Sequence, residues 1–349
     1  MATDKLRIVQ IGTGGMGRYH LRLWKEMPGV EVIGLYDAAP AAAEQGAKIC
    51  DTARVYPNLE AALGDARADA VCIATPNRFH PDMVCAALAA GRHVLCEKPL
   101  AATAAEIERM IAVRDRAGTL LMTAQHMRFD TRTATLQRLM AAGRLGDVYY
   151  AKAFWLRRRF APSTPGFVTQ AQAVRGPGAD IGVHVVDLSM HLLGHPQPVA
   201  VSGVSVCKLA RTPGRYNAWG RLDPALYDVE DFAAGWVRFA NGAVLTVEVS
   251  WLLNMLETEA YGVHLFGERG GAQWPELKWV WEEDGIVSTG QVESYDRNVH
   301  DGHKNELLAF VEAVRAGGPS PVPAEQSLTV ARILDALYAS AESGREVRL

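Results

Sequence analysis

Lys98, Asp180 and His184 are the residues of this chain whose types and surroundings could do chemistry together. Lys98 stands in Glu97-Lys98-Pro99, directly after the apolar run His93-Val94-Leu95-Cys96. An amine at the carboxyl end of a parallel strand lies where open α/β sheets bind ligands, and partial desolvation there favours its neutral form and makes it a proton partner. Asp180 and His184 lie in Gly176-Pro177-Gly178-Ala179-Asp180-Ile181-Gly182-Val183-His184. Apolar residues from Ile181 to Leu193 surround nearly the whole circumference of this helix, so it should be buried. Its polar residues, Asp180, His184, Asp187 and His191, are spaced four, three and four apart and fall on one stripe. Such groups must be paired, used or metal-bound, because unpaired buried charge is costly. An imidazole that titrates at about pH 6.5 suits general-base work at neutral pH. The bland alternative makes Asp180 a helix cap and His184 a satisfied core histidine. A Zn²⁺ site is a sharper rival, since Asp and His at helical spacing can ligate it. No further ligand cluster accompanies them, and the reading carries no metal.

The elements that must position these groups begin near the N-terminus. Ile8 to Gly17 reads IVQIGTGGMG, a short apolar strand running into Gly12-x-Gly14-x-x-Gly17, with Asp37 twenty positions beyond the last glycine. Gly12 permits a tight turn, Gly14 lets backbone approach a pyrophosphate, and Gly17 lets the following helix pack close to the sheet. Gly15 and Met16 share the helix N-terminus, whose free N–H groups and dipole favour phosphate. Asp37 closes a second apolar run, Val30 to Tyr36, and its carboxylate can accept ribose hydroxyls while repelling a 2′-phosphate. Ala38, Ala39 and Pro40 supply no cation for such a phosphate. The pattern predicts a dinucleotide cofactor, with NAD preferred over NADP.

Strand and helix patterns alternate to about residue 125. Helices are expected at about 39–49, 81–90 and 104–117, and strands at 70–74, 93–97 and 120–124. This predicts a parallel sheet covered by helices. From about residue 147 the strands follow one another without regular helices: 148–155, 232–239, 243–251, 261–266 and 278–281. Asn241-Gly242 between two of them is a strong hairpin signal. The expected fold is α/β, with a Rossmann domain over 1–125 and an α/β domain with a large, mostly antiparallel open sheet over 126–349. A C-terminal helix at about 324–343 is free to pack back on the first domain. Segments 157–178 and 208–229 lack regular pattern, and loops of that length are usually functional or mobile.

Composition sets outer bounds. A chain of 349 residues with 49% hydrophobic content and a formal charge of −3 has room for two cores and carries no basic stripe, so no nucleic-acid partner is expected. Its apolar runs are strand-sized, which argues against a membrane span. The first residues, MATDKLRIVQ, enter a strand at once, and a cytoplasmic location without a leader is expected. The five cysteines are scattered without a CxxC pair and read as reduced thiols.

Taken in order, the motifs resemble those of the Gfo/Idh/MocA oxidoreductase family, which includes glucose-fructose oxidoreductase and inositol dehydrogenase. The resemblance rests on IGTGGMG, Ala74-Thr75-Pro76-Asn77 with His80, Glu97-Lys98-Pro99, DIGVHVVD from Asp180, Glu230-Asp231-Phe232 with Asn241-Gly242, and Tyr338 to Gly344. It implies that Lys98, Asp180 and His184 form the catalytic group. It also implies that Thr75, Pro76, Asn77, His80, Glu97, Lys98 and Gln125 join the glycines and Asp37 around the cofactor. Many relatives carry Asn-x-Arg where this chain has Gln125-His126-Met127-Arg128, so Arg128 carries over as a substrate-site residue. The implied reaction is hydride transfer between NAD and a secondary hydroxyl of a sugar, glycoside or cyclic polyol, with a homodimer or homotetramer formed through the open sheet. Trp155, Arg157, Tyr295, His300 and His303 are candidates for the sugar pocket, since such sites use aromatic faces and hydrogen-bond donors. Alternatives are a NAD-dependent glycoside hydrolase using transient oxidation and a non-catalytic NAD-sensing protein. Trp279 and Trp281 alternate on one strand face and could mark a subunit interface.

Overall fold

The computed structural model describes residues 5–50, 54–173, 175–292 and 302–349. It divides into two compact units, Met1–Gln125 with His303–Leu328, and His126–Gly302 with Thr329–Leu349. The division read from sequence, at residue 125, is continuous along the chain, whereas the first unit also takes in His303–Leu328. Local bonds explain this addition. The Arg315 guanidinium donates to the Gly29 carbonyl at 2.6 Å, Arg114 pairs with Glu325 at 2.6 Å, and the Ser327 hydroxyl bonds Thr123 at 2.8 Å.

Strands β1 (Leu6–Ile11), β2 (Val30–Tyr36), β3 (Arg54–Val55), β4 (Ala70–Ile73), β5 (His93–Cys96) and β6 (Leu121–Thr123) form the sheet of the first unit. All neighbours are parallel, in the order β3-β2-β1-β4-β5-β6. Helices cover parallel sheets on both faces, so central strands read as unbroken apolar runs. Ile8, Val9, Ile11, Val71, Ile73, Val94 and Leu95 are accordingly fully buried. The order reverses between β1 and β4, which places a ligand crevice outside their carboxyl ends. Helix Ala104–Ala117 shows how local signals set boundaries. Thr103 and Glu106 form a capping box at its start, and Gly118 ends it at φ 65°. The short strand β3 and the helix Leu59–Leu63 were not anticipated.

In the second unit β7 (Val148–Arg157), β8 (Pro198–Val206), β9 (Phe232–Phe239), β10 (Val244–Ser250), β11 (Glu259–Gly267), β12 (Gly270–Trp274), β13 (Lys278–Glu283), β14 (Ile286–Gln291) and β15 (Val347–Arg348) make a nine-stranded sheet. Its pairs are antiparallel except β7 with β10. Gly242 turns the β9–β10 hairpin at φ 86°. Alternate residues point inward, and Val247, Ala153 and Val263 sit side by side in register. These inward rows share one buried cluster with Val185, Leu188 and Met190 of helix Val183–Leu192. Nine of that helix's ten residues are buried. Truncating fully buried Leu188 to Ala would cost about 2–5 kcal/mol on the usual core scale.

The two pattern-poor segments are stitched to one another rather than loose. The Asn217 amide bonds both backbone groups of Ala161 at 2.9 Å, and the Tyr227 hydroxyl reaches the Pro162 carbonyl at 3.1 Å. One Asp231 oxygen accepts the N–H groups of Lys208, Leu209 and Ala210. Among the described residues no helix is long and apolar enough to cross a membrane.

Candidate active site

The glycine turn of the first unit is shaped by missing Cβ atoms. A Cβ on Gly12 would stand 2.5 Å from the Ala74 carbonyl, and one on Gly17 would stand 2.0 Å from the Gly12 carbonyl. Backbone at the ends of β1 and β4 therefore touches, and helix Gly15–Glu26 lies against the turn. Gly14 and Gly15 differ: a Cβ on either meets no protein atom within 4 Å. No side chain caps this helix, so its first amides are offered outward. Open space above uncapped amides fits a dinucleotide pyrophosphate, and these are the residues that would hold one. Met16 is half-buried in the helix's first turn. Asp37 is fixed by the Thr13 amide at 2.7 Å, the Thr13 hydroxyl at 3.1 Å and the Ala39 amide at 2.9 Å. A carboxylate has about four acceptor positions, so capacity remains for ribose hydroxyls. Reading residues 38–40 found no cation here, but the fold brings in Arg18, which donates to the Thr13 carbonyl at 2.9 Å.

The ends of β4 and β5 are tied together by two buried histidines, one of them unforeseen. His80 has no solvent exposure, and its ring nitrogens lie 2.9 Å from the carbonyls of Thr75 and Pro99. It links the Thr75-Pro76-Asn77 loop to the Lys98-Pro99 turn; direct cofactor contact, the expectation for it, does not fit a ring so enclosed. Burial lowers its pKa, only partly offset by the two carbonyls. Glu97 is likewise turned inward. Its carboxylate lies 3.1 Å from His20 Nε2 and accepts the Lys98 amide at 3.1 Å. Burial would raise this carboxyl, but His20 first, then Lys98 and His303, hold it at about 2. His20, fully buried beside the Cys72 sulfur at 3.3 Å, is raised despite its burial. The Lys98 side chain is half-buried, Gln125 is buried, and Thr75 and Asn77 are half-buried with Pro76 exposed.

In the second unit, residues Gly178–Gly182 form a π-helical turn that runs directly into helix Val183–Leu192. The wider turn displaces Asp180 about the axis from its place on a regular stripe. Glu230 builds the entry: its carboxylate accepts the Gly176 amide at 2.9 Å, the Gly178 amide at 3.3 Å and the Tyr338 hydroxyl at 2.6 Å. Burial pushes the Glu230 carboxyl up, and these donors pull it back. A Cβ at Gly178 would stand 2.0 Å from the Tyr338 hydroxyl, so only glycine passes there. The four polar stripe residues then part company. Asp180 accepts the indole N–H of buried Trp251 at 3.2 Å. His184, 6% exposed, has the His126 ring at 4.9 Å and the Trp155 ring at 5.9 Å. Asp187 receives Nε and Nη2 of Arg128 at 2.7 and 2.6 Å, deep in the unit. His191 meets the Gln137 amide at 2.9 Å. Arg128 therefore commits two of its donors to Asp187 rather than to the substrate role expected of it.

Trp155 and Arg157 share the inner face of β7; Trp155 lies beside His184, and Arg157 lies beside Trp155. Glu259, opposite Arg157 on β11, accepts Trp155 Nε1 and Arg157 Nε on one oxygen, each at 2.7 Å. Tyr261 stacks on Trp155 at 5.2 Å. The Arg157 guanidinium lies 5.1 Å from the Trp155 ring centre and 4.9 Å from that of Trp219. His303 belongs instead to the first unit, edge-on to Tyr19 at 5.2 Å, and Tyr295 and His300 lie outside the described residues. The sequence missed Glu259, Tyr261 and Trp219; the Glu259-x-Tyr261 alternation on a strand was the one available signal. Among the described residues no group of three or more His, Cys, Asp or Glu side chains is placed to hold a metal ion.

Comparison with known proteins gives this geometry a setting. Residues 6–125 match the model of the Gfo/Idh/MocA oxidoreductase family's NAD-binding Rossmann fold, and residues 137–349 match that family's C-terminal alpha/beta domain. D-glucoside 3-dehydrogenase of Escherichia coli K12 is 31% identical over 353 residues, covering 100% of this chain and 99% of that protein. D-xylose 1-dehydrogenase (NADP(+)) 2 of Haloferax volcanii is 30% identical, covering 84% of each. The crystal structure of GenD2 from gentamicin A biosynthesis, in complex with NAD, superposes with a TM-score of 0.83 at 25% identity over 100% of this chain and 97% of that one.

Proposed function

The chain belongs to the Gfo/Idh/MocA oxidoreductase family, and on that premise we propose that it is a NAD-dependent dehydrogenase oxidising a secondary hydroxyl of a sugar, glycoside or cyclic polyol. Relatives named as glucoside and xylose dehydrogenases support the substrate class. The observation that carries the reading is the setting of His184: a buried imidazole between His126 and Trp155, one π-turn after Asp180.

His184 takes the proton from the substrate hydroxyl oxygen, a task suited to an imidazole near neutral pH. Lys98 donates a hydrogen bond to the same oxygen and steadies the negative charge that grows on it. Asp180, oriented by the Trp251 indole, fixes a neighbouring hydroxyl and offsets the lysine charge. NAD, when bound, supplies the acceptor for the hydride leaving the carbon. Glu97, kept ionised by His20, positions the backbone that carries Lys98. Arg128 acts through Asp187 as a positioning residue of the His184 helix.

Asp37 supports NAD over NADP, since its fixed carboxylate opposes a 2′-phosphate. Tyr150, Trp236 and Phe266, stacked on the outer face of the nine-stranded sheet, support a homodimer or homotetramer formed through that face. A screen of sugars, inositols and glycosides for NADH absorbance tests the reading. At least one should be oxidised, and Lys98→Ala should lower kcat about 10²-fold with NADH affinity intact. No reduction of NAD by any member, or near-normal turnover in that variant, would overturn it.

A further inference from the structure

His20 stands one turn beyond Gly17 on helix Gly15–Glu26, and that helix is seated firmly: Gly17 lies against the Gly12 carbonyl, and Leu21 and Trp24 are fully buried. The His20 ring has no solvent exposure and touches two neighbouring strands at once. Its Nδ1 lies 3.3 Å from the Cys72 sulfur of β4, and its Nε2 lies 3.1 Å from one oxygen of Glu97, directly after β5. The other Glu97 oxygen accepts the Lys98 amide at 3.1 Å. Two contacts in line thus join the helix offered to the cofactor to the backbone of the lysine. On the far side of Lys98, buried His80 lies 2.9 Å from the Pro99 carbonyl. The lysine turn is therefore clamped at entry and exit. An imidazole–carboxylate pair is costly to bury, and an apolar pair of similar volume would often hold the strands as well. What the pair adds is direction: with one oxygen fixed on His20, the carboxylate presents the other to the Lys98 amide in a set orientation.

We propose that His20 is a positioning residue for Lys98: through Glu97 it ties the turn that carries the lysine to the helix that receives the dinucleotide pyrophosphate, so that one element sets the place of both. The proposal rests on the reading of Lys98 as the group that steadies the substrate oxygen, and it adds to that reading a side chain fully enclosed by protein. A shift of about 1 Å at a reacting group can cost about 10²-fold in rate, so loss of this strut is read in kcat. Cofactor affinity should hold, because the glycine turn is shaped by its own backbone contacts.

The test is kcat with the best-oxidised sugar, together with NADH affinity, for His20→Phe made in the unaltered protein and in Lys98→Ala. His20→Phe should lower kcat about tenfold while NADH affinity changes less than about twofold. His20→Gln, which keeps a donor for Glu97, should recover most of the loss. In the Lys98→Ala background His20→Phe should cost nothing further, since the group it positions is gone. Glu97→Gln, which keeps the shape of the side chain and removes its charge, carries the same comparison if His20→Phe does not fold; its loss should likewise vanish with Lys98→Ala. An equal loss in both backgrounds, or a loss confined to NADH affinity, would overturn the assignment and leave His20 as packing alone. Near-normal kcat in Lys98→Ala by itself would instead remove the reading of Lys98, and the proposal with it.

Discussion

At the turn after β1 the groups offered to a ligand are main-chain amides, shaped by what Gly12, Gly14 and Gly17 lack, whereas around His184 they are side chains, among them Asp180 held by Trp251 and Arg157 held by Glu259. The first arrangement is indifferent to most neighbouring side chains and intolerant of a methyl group at Gly12 or Gly17. The second depends on partners far apart in sequence, such as Arg128 with Asp187 and Arg157 with Glu259. A backbone cradle suits a constant ligand. A side-chain pocket can be retuned without disturbing the sheet beneath it, which is where a family of dinucleotide-binding proteins with many substrates would vary.

That contrast can be broken by substitution. The largest effect is expected from Arg128→Met, which leaves the Asp187 carboxylate buried without its charge partner; urea unfolding should show a loss of about 3–5 kcal/mol. Adding Asp187→Leu should recover much of it, because replacing both members of a buried pair by apolar groups is often neutral. Gly17→Ala is expected to cost about 1–3 kcal/mol through its clash with the Gly12 carbonyl, read mainly as weaker NADH binding by fluorescence titration. If Gly17→Ala left cofactor affinity untouched, the backbone account of the first site would be wrong. Asp37→Ala should weaken NAD binding about tenfold and narrow its advantage over NADP in paired kinetic assays.

Two histidines of the second unit add a pH dependence of their own. Burial first, and then the Arg128 cation, hold His191 and His195 down to about 4. Between about pH 4 and 6.5 the unfolded chain takes up protons that the folded state refuses. Their contribution to stability is thus full above about pH 6.5 and is lost as pH drops toward 4. A series of Tm values should show this slope, and His191→Gln with His195→Gln should make it shallower.

The same contrast governs how much could be read in advance. Gly12, Gly17, Gly118 and Asn241-Gly242 act through their immediate neighbours, so their spacing located turns, a helix end and a hairpin. Strands β8, β12 and β14 escaped notice because PVAVSGVSV, GGAQW and IVSTGQ mix glycine, serine and proline into short runs whose strand character comes from pairing. The π-turn could not be seen either, because regular helical spacing was assumed from Asp180 onward. His20 gains a role only through Cys72 and Glu97, which the fold sets beside it from distant parts of the chain. Glu259 acquires its meaning only through strand register, which sets it across from Arg157. Sequence thus located the residues that act locally, and long-range pairing decided which of the others mattered.

The central claim is that Lys98 and His184 act on one substrate oxygen. A double-mutant cycle on kcat with the best-oxidised sugar tests it most directly, comparing Lys98→Ala, His184→Ala and the pair. Groups serving one proton transfer are strongly non-additive, so the double variant should be scarcely slower than the slower single. Losses that simply multiply would contradict the account, because each residue would then be acting on a separate step.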